Sequence, residues 1–85
     1  MVLYIAGGEM VAGIDKTVAK MRSQPNGVSF EEASKVLEYY GYVLVRRKGS
    51  HCHFRHSSGE LITVVKETPT IKKCYVNDIL TRIGE

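Results

Sequence analysis

The residues of this chain best suited to chemistry fall in one short run, Gly49-Ser50-His51-Cys52-His53-Phe54-Arg55-His56, which holds all three histidines of the sequence. Imidazole titrates near neutral pH, so it can take a proton from a ribose 2′-hydroxyl or give one to a leaving oxygen. Arginine and lysine beside it can hold a phosphate and stabilise the charge that develops there. RNA carries its own nucleophile in the 2′-hydroxyl, so this attack requires no metal. A lone surface histidine is ordinarily a polar surface residue and nothing more. Three within six positions are less usual. Metal binding is the other chemistry open to the run, through His51, His53 and Cys52.

Alternation along a strand separates these readings. Residues two apart share a face, so His51, His53 and Arg55 point one way and Cys52, Phe54 and His56 the other. Phe54 and Cys52 form the apolar set and are expected to face a core. His51, His53 and Arg55 are then left on an open face, beside the basic residues of a neighbouring strand. Cys52 points away from the two histidines, and no second ligand pair with zinc-site spacing appears. No metal and no cofactor are expected.

Charge agrees with a phosphate-binding surface. Between Tyr42 and Lys73 lie Arg46, Arg47, Lys48, Arg55, Lys66, Lys72 and Lys73 against only Glu60 and Glu67, a local balance of +5 in a chain of net charge +3. The remainder, with five basic and seven acidic residues, is at −2. Positive charge gathered in one half of a molecule is the usual footprint of a nucleic-acid partner. A solvated basic face is the plain alternative.

The elements that must position these residues are legible from periodicity. Ile14, Val18 and Met21 share one helical face, predicting a helix over Asp15 to Gln24 with Asp15 as its cap. Pro25-Asn26-Gly27 forces a turn. Ser29-Phe30-Glu31-Glu32 reads as a capping box, with Val28 and Ala33 as its hydrophobic staple. Phe30, Ala33, Leu37 and Tyr40 form the apolar stripe of that second helix, Val36 lies at its edge, and Gly41 ends it. Three strands are expected at Tyr42 to Lys48, His51 to His56 and Glu60 to Val65, joined by Gly49-Ser50 and Ser57-Ser58-Gly59 as an antiparallel meander. Val76, Ile79, Leu80 and Ile83 repeat at helical spacing in a last helix, stopped by Gly84. The order is helix, helix, three strands, helix: an α+β class with the helices on one sheet face and the other face open.

Eighty-five residues make one domain with a modest core. No apolar run reaches membrane-spanning length, and Val2 to Ala6 is too short for a secretory signal, so a cytoplasmic location is expected. Cys52 and Cys74 are expected as free thiols. Residues 15–85 form the domain. Residues 1–14 are expected to be disordered or to belong to a misplaced start; Met1 to Glu9 carry no capping signal, and translation is expected to begin at Met10.

The run Arg47-Lys48-Gly49-Ser50-His51, followed by Phe54-Arg55-His56, a glycine turn and Leu61-Ile62-Thr63-Val64, resembles the HicA toxin family. So does Ile71-Lys72-Lys73-Cys74-Tyr75-Val76 leading into Asp78-Ile79-Leu80. The resemblance spans Asp15 to Ile83. It implies a double-stranded-RNA-binding-like fold, an mRNA-cutting ribonuclease (an mRNA interferase), and a HicB-like antitoxin partner. It assigns the catalytic histidine to His51 and the preceding Gly-Ser to Gly49 and Ser50. The chain departs from the family at Cys52, where many members carry a second histidine, and has His53 one step later.

The favoured reading is the toxin component of a toxin–antitoxin system, a metal-independent endoribonuclease. His51 is its general base or acid, and Arg46, Lys48, Ser50, His53 and Arg55 are its RNA contacts. Among these, Arg46, Lys48 and Arg55 hold phosphates and Ser50 shapes the turn that presents His51. The alternatives are a non-catalytic RNA-binding module on the same basic face and an inactive relative kept for complex formation, which the Cys52 departure suits.

Overall fold

The computed structural model describes the backbone of residues 2–84 and the side chains of residues 13–84. Its best-specified local signal is the capping box. The Ser29 side chain accepts from the Glu32 backbone N–H at 3.1 Å, and the Ser29 backbone N–H donates to Glu32 Oε1 at 3.0 Å. Helix α2 (Phe30–Tyr39) starts there, and Gly41, at φ +93°, turns the chain out of it. The Ser29 N–H and the neighbouring Lys20 ammonium hold the Glu32 carboxyl below its ordinary range, against an opposing effect of burial. A lowered carboxyl pKa adds stability that is present above the unfolded-state value and is lost as pH falls through the folded one. Ser29→Ala is expected to cost about 1 kcal/mol. Chemical denaturation at neutral pH checks this, and the deficit should shrink in acid.

Helix α1 spans Val2–Ser23. The expected start at Asp15 therefore lies inside the helix, and Asp15 is an exposed mid-helix residue. The glycines at 7, 8 and 13 interrupt the apolar pattern and lower helix propensity, which hides the earlier start from a periodicity reading. The expectation that residues 1–14 stand apart from the domain falls, over 1–12, on side chains outside the described residues. The predicted face does hold: Ile14, Val18 and Met21 are all buried in the core. Lys20 Nζ reaches both Glu32 carboxylate oxygens at 3.0 Å and ties α1 to the start of α2. Pro25–Gly27 forms the intervening turn.

Strands β1 (Tyr42–Lys48), β2 (His51–His56) and β3 (Leu61–Val65) make an antiparallel sheet in that order. Glu60, expected within the third strand, closes the turn before it: the His56 N–H donates to the Glu60 carbonyl at 2.8 Å. Helix α3 (Lys73–Arg82) completes the chain. α2 packs against β1, α3 against β3, and α1 against both helices. The buried set runs from Met21, Val28 and Leu37 through Cys52, Phe54 and Val64 to Val76 and Ile79. Val36, expected at the edge of its stripe, is wholly buried. The architecture is α+β, with element order α-α-β-β-β-α and the helices on one sheet face, compatible with the double-stranded-RNA-binding-like fold.

A polar cluster clamps one end of this arrangement. The Tyr42 hydroxyl donates to Glu60 Oε1 at 2.6 Å, and Arg82 reaches Glu60 at 3.5 Å and the Leu61 carbonyl at 2.8 Å. Burial, and then the Glu60 carboxylate, push the Tyr42 phenol above its ordinary range. The His56 ring lies against Tyr42 with 5.0 Å between centroids, and its Nδ1 accepts from the Ser58 backbone N–H at 3.1 Å. His56 is thus the structural histidine of the three. Apart from the local His56–Ser58 bond, these contacts join residues far apart in the sequence.

Candidate functional site

The candidate site is built on β2. Cys52 and Phe54 are buried against the helices, whereas His51 and Arg55 are exposed and His53 is half-buried on the opposite face. Directly paired residues of an antiparallel sheet share a face, so the pairing defines the open face as three rows. Lys48, His51 and Val65 form the first, Arg46, His53 and Thr63 the second, and Val43, Arg55 and Leu61 the third. The structure thus brings Arg46, Lys48, His51, His53 and Arg55 together on one surface.

How β1 contributes to that surface was not predicted. Tyr42 is buried, so strict alternation from it would send Arg46 and Lys48 toward the helices and turn Arg47 to the open face. A register shift between Leu44 and Arg46 prevents this. Val45 is the extra residue of a β-bulge, which moves every later residue of β1 across the sheet. Arg46 and Lys48 consequently flank the histidines. Arg47 pairs with Cys52 on the other face and donates from Nε to the Gly49 carbonyl at 3.1 Å, bracing the hairpin turn.

That turn presents His51. Gly49 sits at φ +59°, a left-handed conformation that side-chain-bearing residues rarely adopt. The Ser50 carbonyl accepts from the Lys66 backbone N–H at 2.7 Å, which pins the turn to the end of β3. Ser50 therefore acts in this turn through its backbone. The His51 ring has no hydrogen-bond partner among the described residues. By contrast, His53 Nδ1 lies 2.8 Å from Thr63 Oγ1 across the β2–β3 pair.

The electrostatics favour anions at the His51 end of the sheet. Lys66 Nζ stands 5.3 Å over the Phe30 ring, and the Ile71 N–H donates to the Val28 carbonyl at 2.9 Å. These contacts bring the starts of α2 and α3 to the same end as His51, with the exposed Lys72 and Lys73 at the start of α3. Helix N-termini carry partial positive charge, which Glu31 and Glu32 offset in the first turn of α2 and which Lys72 and Lys73 reinforce at the start of α3. The C-terminal end of α3, through Arg82, lies by Glu60 and Leu61 at the opposite end of the sheet.

Metal ligation finds a poor frame on this surface. Cys52 is buried on the helix side of β2 and cannot meet an ion held by His51 and His53. Among the described residues no three His, Cys, Asp or Glu side chains gather as a ligand set. Among the described residues, too, no helix is long and apolar enough to cross a membrane.

Comparison with known proteins rests on the same part of the chain. Neither a curated protein nor a solved structure matches it at a significant level. A family model described as the HicA toxin of bacterial toxin–antitoxin systems matches residues 30–85, which takes in α2, the whole sheet with its histidine face, and α3. Covering well over half of the sequence, the match means that the chain belongs to the HicA toxin family.

Proposed function

We propose that this toxin is a metal-independent endoribonuclease that cuts messenger RNA in the cytoplasm, with His51 as its catalytic residue. One observation carries the reading: an exposed imidazole at a pinned turn, on an open sheet face flanked by Lys48, Arg46 and Arg55. The ring is free to meet a ribose 2′-hydroxyl or a leaving 5′-oxygen. The three cations surround the place a phosphate would occupy and offset its developing charge. Ser50 shapes the turn, and His53 adds a further polar contact to the RNA.

Family membership brings with it a toxin role and an antitoxin partner. We assign that partner to the same face, as an acidic, HicB-like protein that covers His51 and competes with RNA. Complementary charge would steer it there quickly.

The test uses purified protein and single-stranded RNA. Cleavage should persist in EDTA. Affinity for a 2′-O-methyl oligonucleotide should fall steeply with salt, and Arg46→Ala or Lys48→Ala should each flatten that slope by about one unit. Salt-independent binding without cleavage would overturn the assignment. Salt-sensitive binding without cleavage would favour the non-catalytic RNA-binding reading.

A further inference from the structure

We propose that His53 is a second proton-transfer group of this site, acting with His51 on either side of the scissile phosphate, and that Thr63 is its positioning residue. The inference rests on the endoribonuclease reading above and extends it to a residue outside the family's histidine position.

Three observations carry it. His51 and His53 are alternate residues of one strand and share the open face. Their backbone positions are therefore roughly 7 Å apart, which leaves room for one phosphoryl group within hydrogen-bond reach of both rings. His53 is also the held ring of the pair: half-buried, with Nδ1 at 2.8 Å from Thr63 Oγ1. A hydroxyl accepting from Nδ1–H keeps that bond whether Nε2 is bare or protonated. The contact orients the ring and leaves Nε2 to exchange a proton, as a second group must for an imidazole to work as acid or base. Finally, the central row sets Arg46 directly opposite His53 on β1, where it can hold the phosphate between the rings. The other charged groups on this face are His51 and Arg55 on the same strand and Lys48 on β1. β3 contributes the uncharged Leu61, Thr63 and Val65, and Glu67 lies beyond its end.

The chemistry balances without any further reactant. One imidazole, neutral, takes the 2′-hydroxyl proton as the 2′-oxygen forms its bond to phosphorus. The phosphorus–5′-oxygen bond breaks, and the other imidazole, protonated, gives its proton to the departing 5′-oxygen. The products are a 2′,3′-cyclic phosphate and a 5′-hydroxyl. Two groups required in opposite protonation states give a bell-shaped dependence of kcat/KM on pH.

The test compares wild-type protein with His53→Asn, Thr63→Val and Thr63→Ser, using an RNA oligonucleotide for cleavage and its 2′-O-methyl analogue for affinity. His53→Asn preserves a donor toward Thr63 and cannot titrate. It is expected to lose one limb of the bell and about 100-fold in kcat/KM, while affinity for the analogue changes by no more than a few-fold. Thr63→Val is expected to lower kcat about tenfold with KM unchanged and to displace the same limb, and Thr63→Ser to restore both. A His53→Asn protein that keeps both limbs overturns the inference, as does one whose lost activity is matched by lost affinity. These outcomes leave His51 and RNA cleavage in place. Failure of the wild-type protein to cut RNA at all would instead remove the endoribonuclease reading, and this inference with it.

Discussion

His51→Ala is expected to abolish RNA cleavage and growth arrest while leaving the fold and the RNA affinity essentially intact. The argument begins with position. His51 opens β2 with its side chain exposed on the open face, and the turn before it is held by backbone contacts: Gly49 in its left-handed conformation and the Ser50 carbonyl on Lys66 N–H. Removing the imidazole touches none of these. Exposed substitutions of this kind usually change stability by less than about 0.5 kcal/mol. Loss of a general acid or base costs about 10² to 10⁴-fold in rate, enough to release a growing cell from arrest. Cleavage assays, thermal unfolding and induced expression at matched protein levels together decide it. Undiminished toxicity in the variant would sink the assignment of His51.

Three residues further along the same strand the opposite behaviour is expected. Phe54→Ala should destabilise the domain by about 3 to 5 kcal/mol. Phe54 is 2% exposed, pairs with Leu44 and Ile62 across the sheet, and packs against Phe30 with 6.3 Å between ring centroids. Truncation leaves a cavity between the sheet and α2. Domains hold about 5 to 15 kcal/mol in total, and one this small buries too little to sit high in that range. Cleavage, RNA binding and antitoxin binding should therefore fall together, in proportion to the unfolded fraction. Urea denaturation measures the loss directly. A cost below about 1 kcal/mol would mean that the sheet's inner face is not the core.

The contrast between these two variants is an expression of strand periodicity, and periodicity is the part of this molecule that local chemistry makes readable. Capping at Ser29 and Glu32, the Gly41 stop, the two short turns and the division of β2 into Cys52 and Phe54 against His51, His53 and Arg55 depend on residues at most a few positions apart. Their physics is local, so the order of elements and the identity of the open face follow from the sequence. Helix α1 marks where such reading stops short: its sequence offers no capping signal and carries glycines, yet it runs from Val2 rather than Asp15. No local signal announces that start.

What remained hidden depends on groups distant in the chain. Tyr42, Glu60 and Arg82 meet only because the start of β1, the turn before β3 and the end of α3 come to the same place. Thr63 becomes the partner of His53 only once the β2–β3 register is set. Above all, the Val45 bulge decides which cations face the histidines. Neither composition nor spacing marks it. Tyr42, Phe54 and Cys52 reach the helices with or without it, because the pairing of Tyr42 with His56 and of Leu44 with Phe54 already sets the inner face. One extra residue in the edge strand shifts the pairing after Leu44 by one, and that alone carries Arg46 and Lys48 to the side of the sheet where the imidazoles lie.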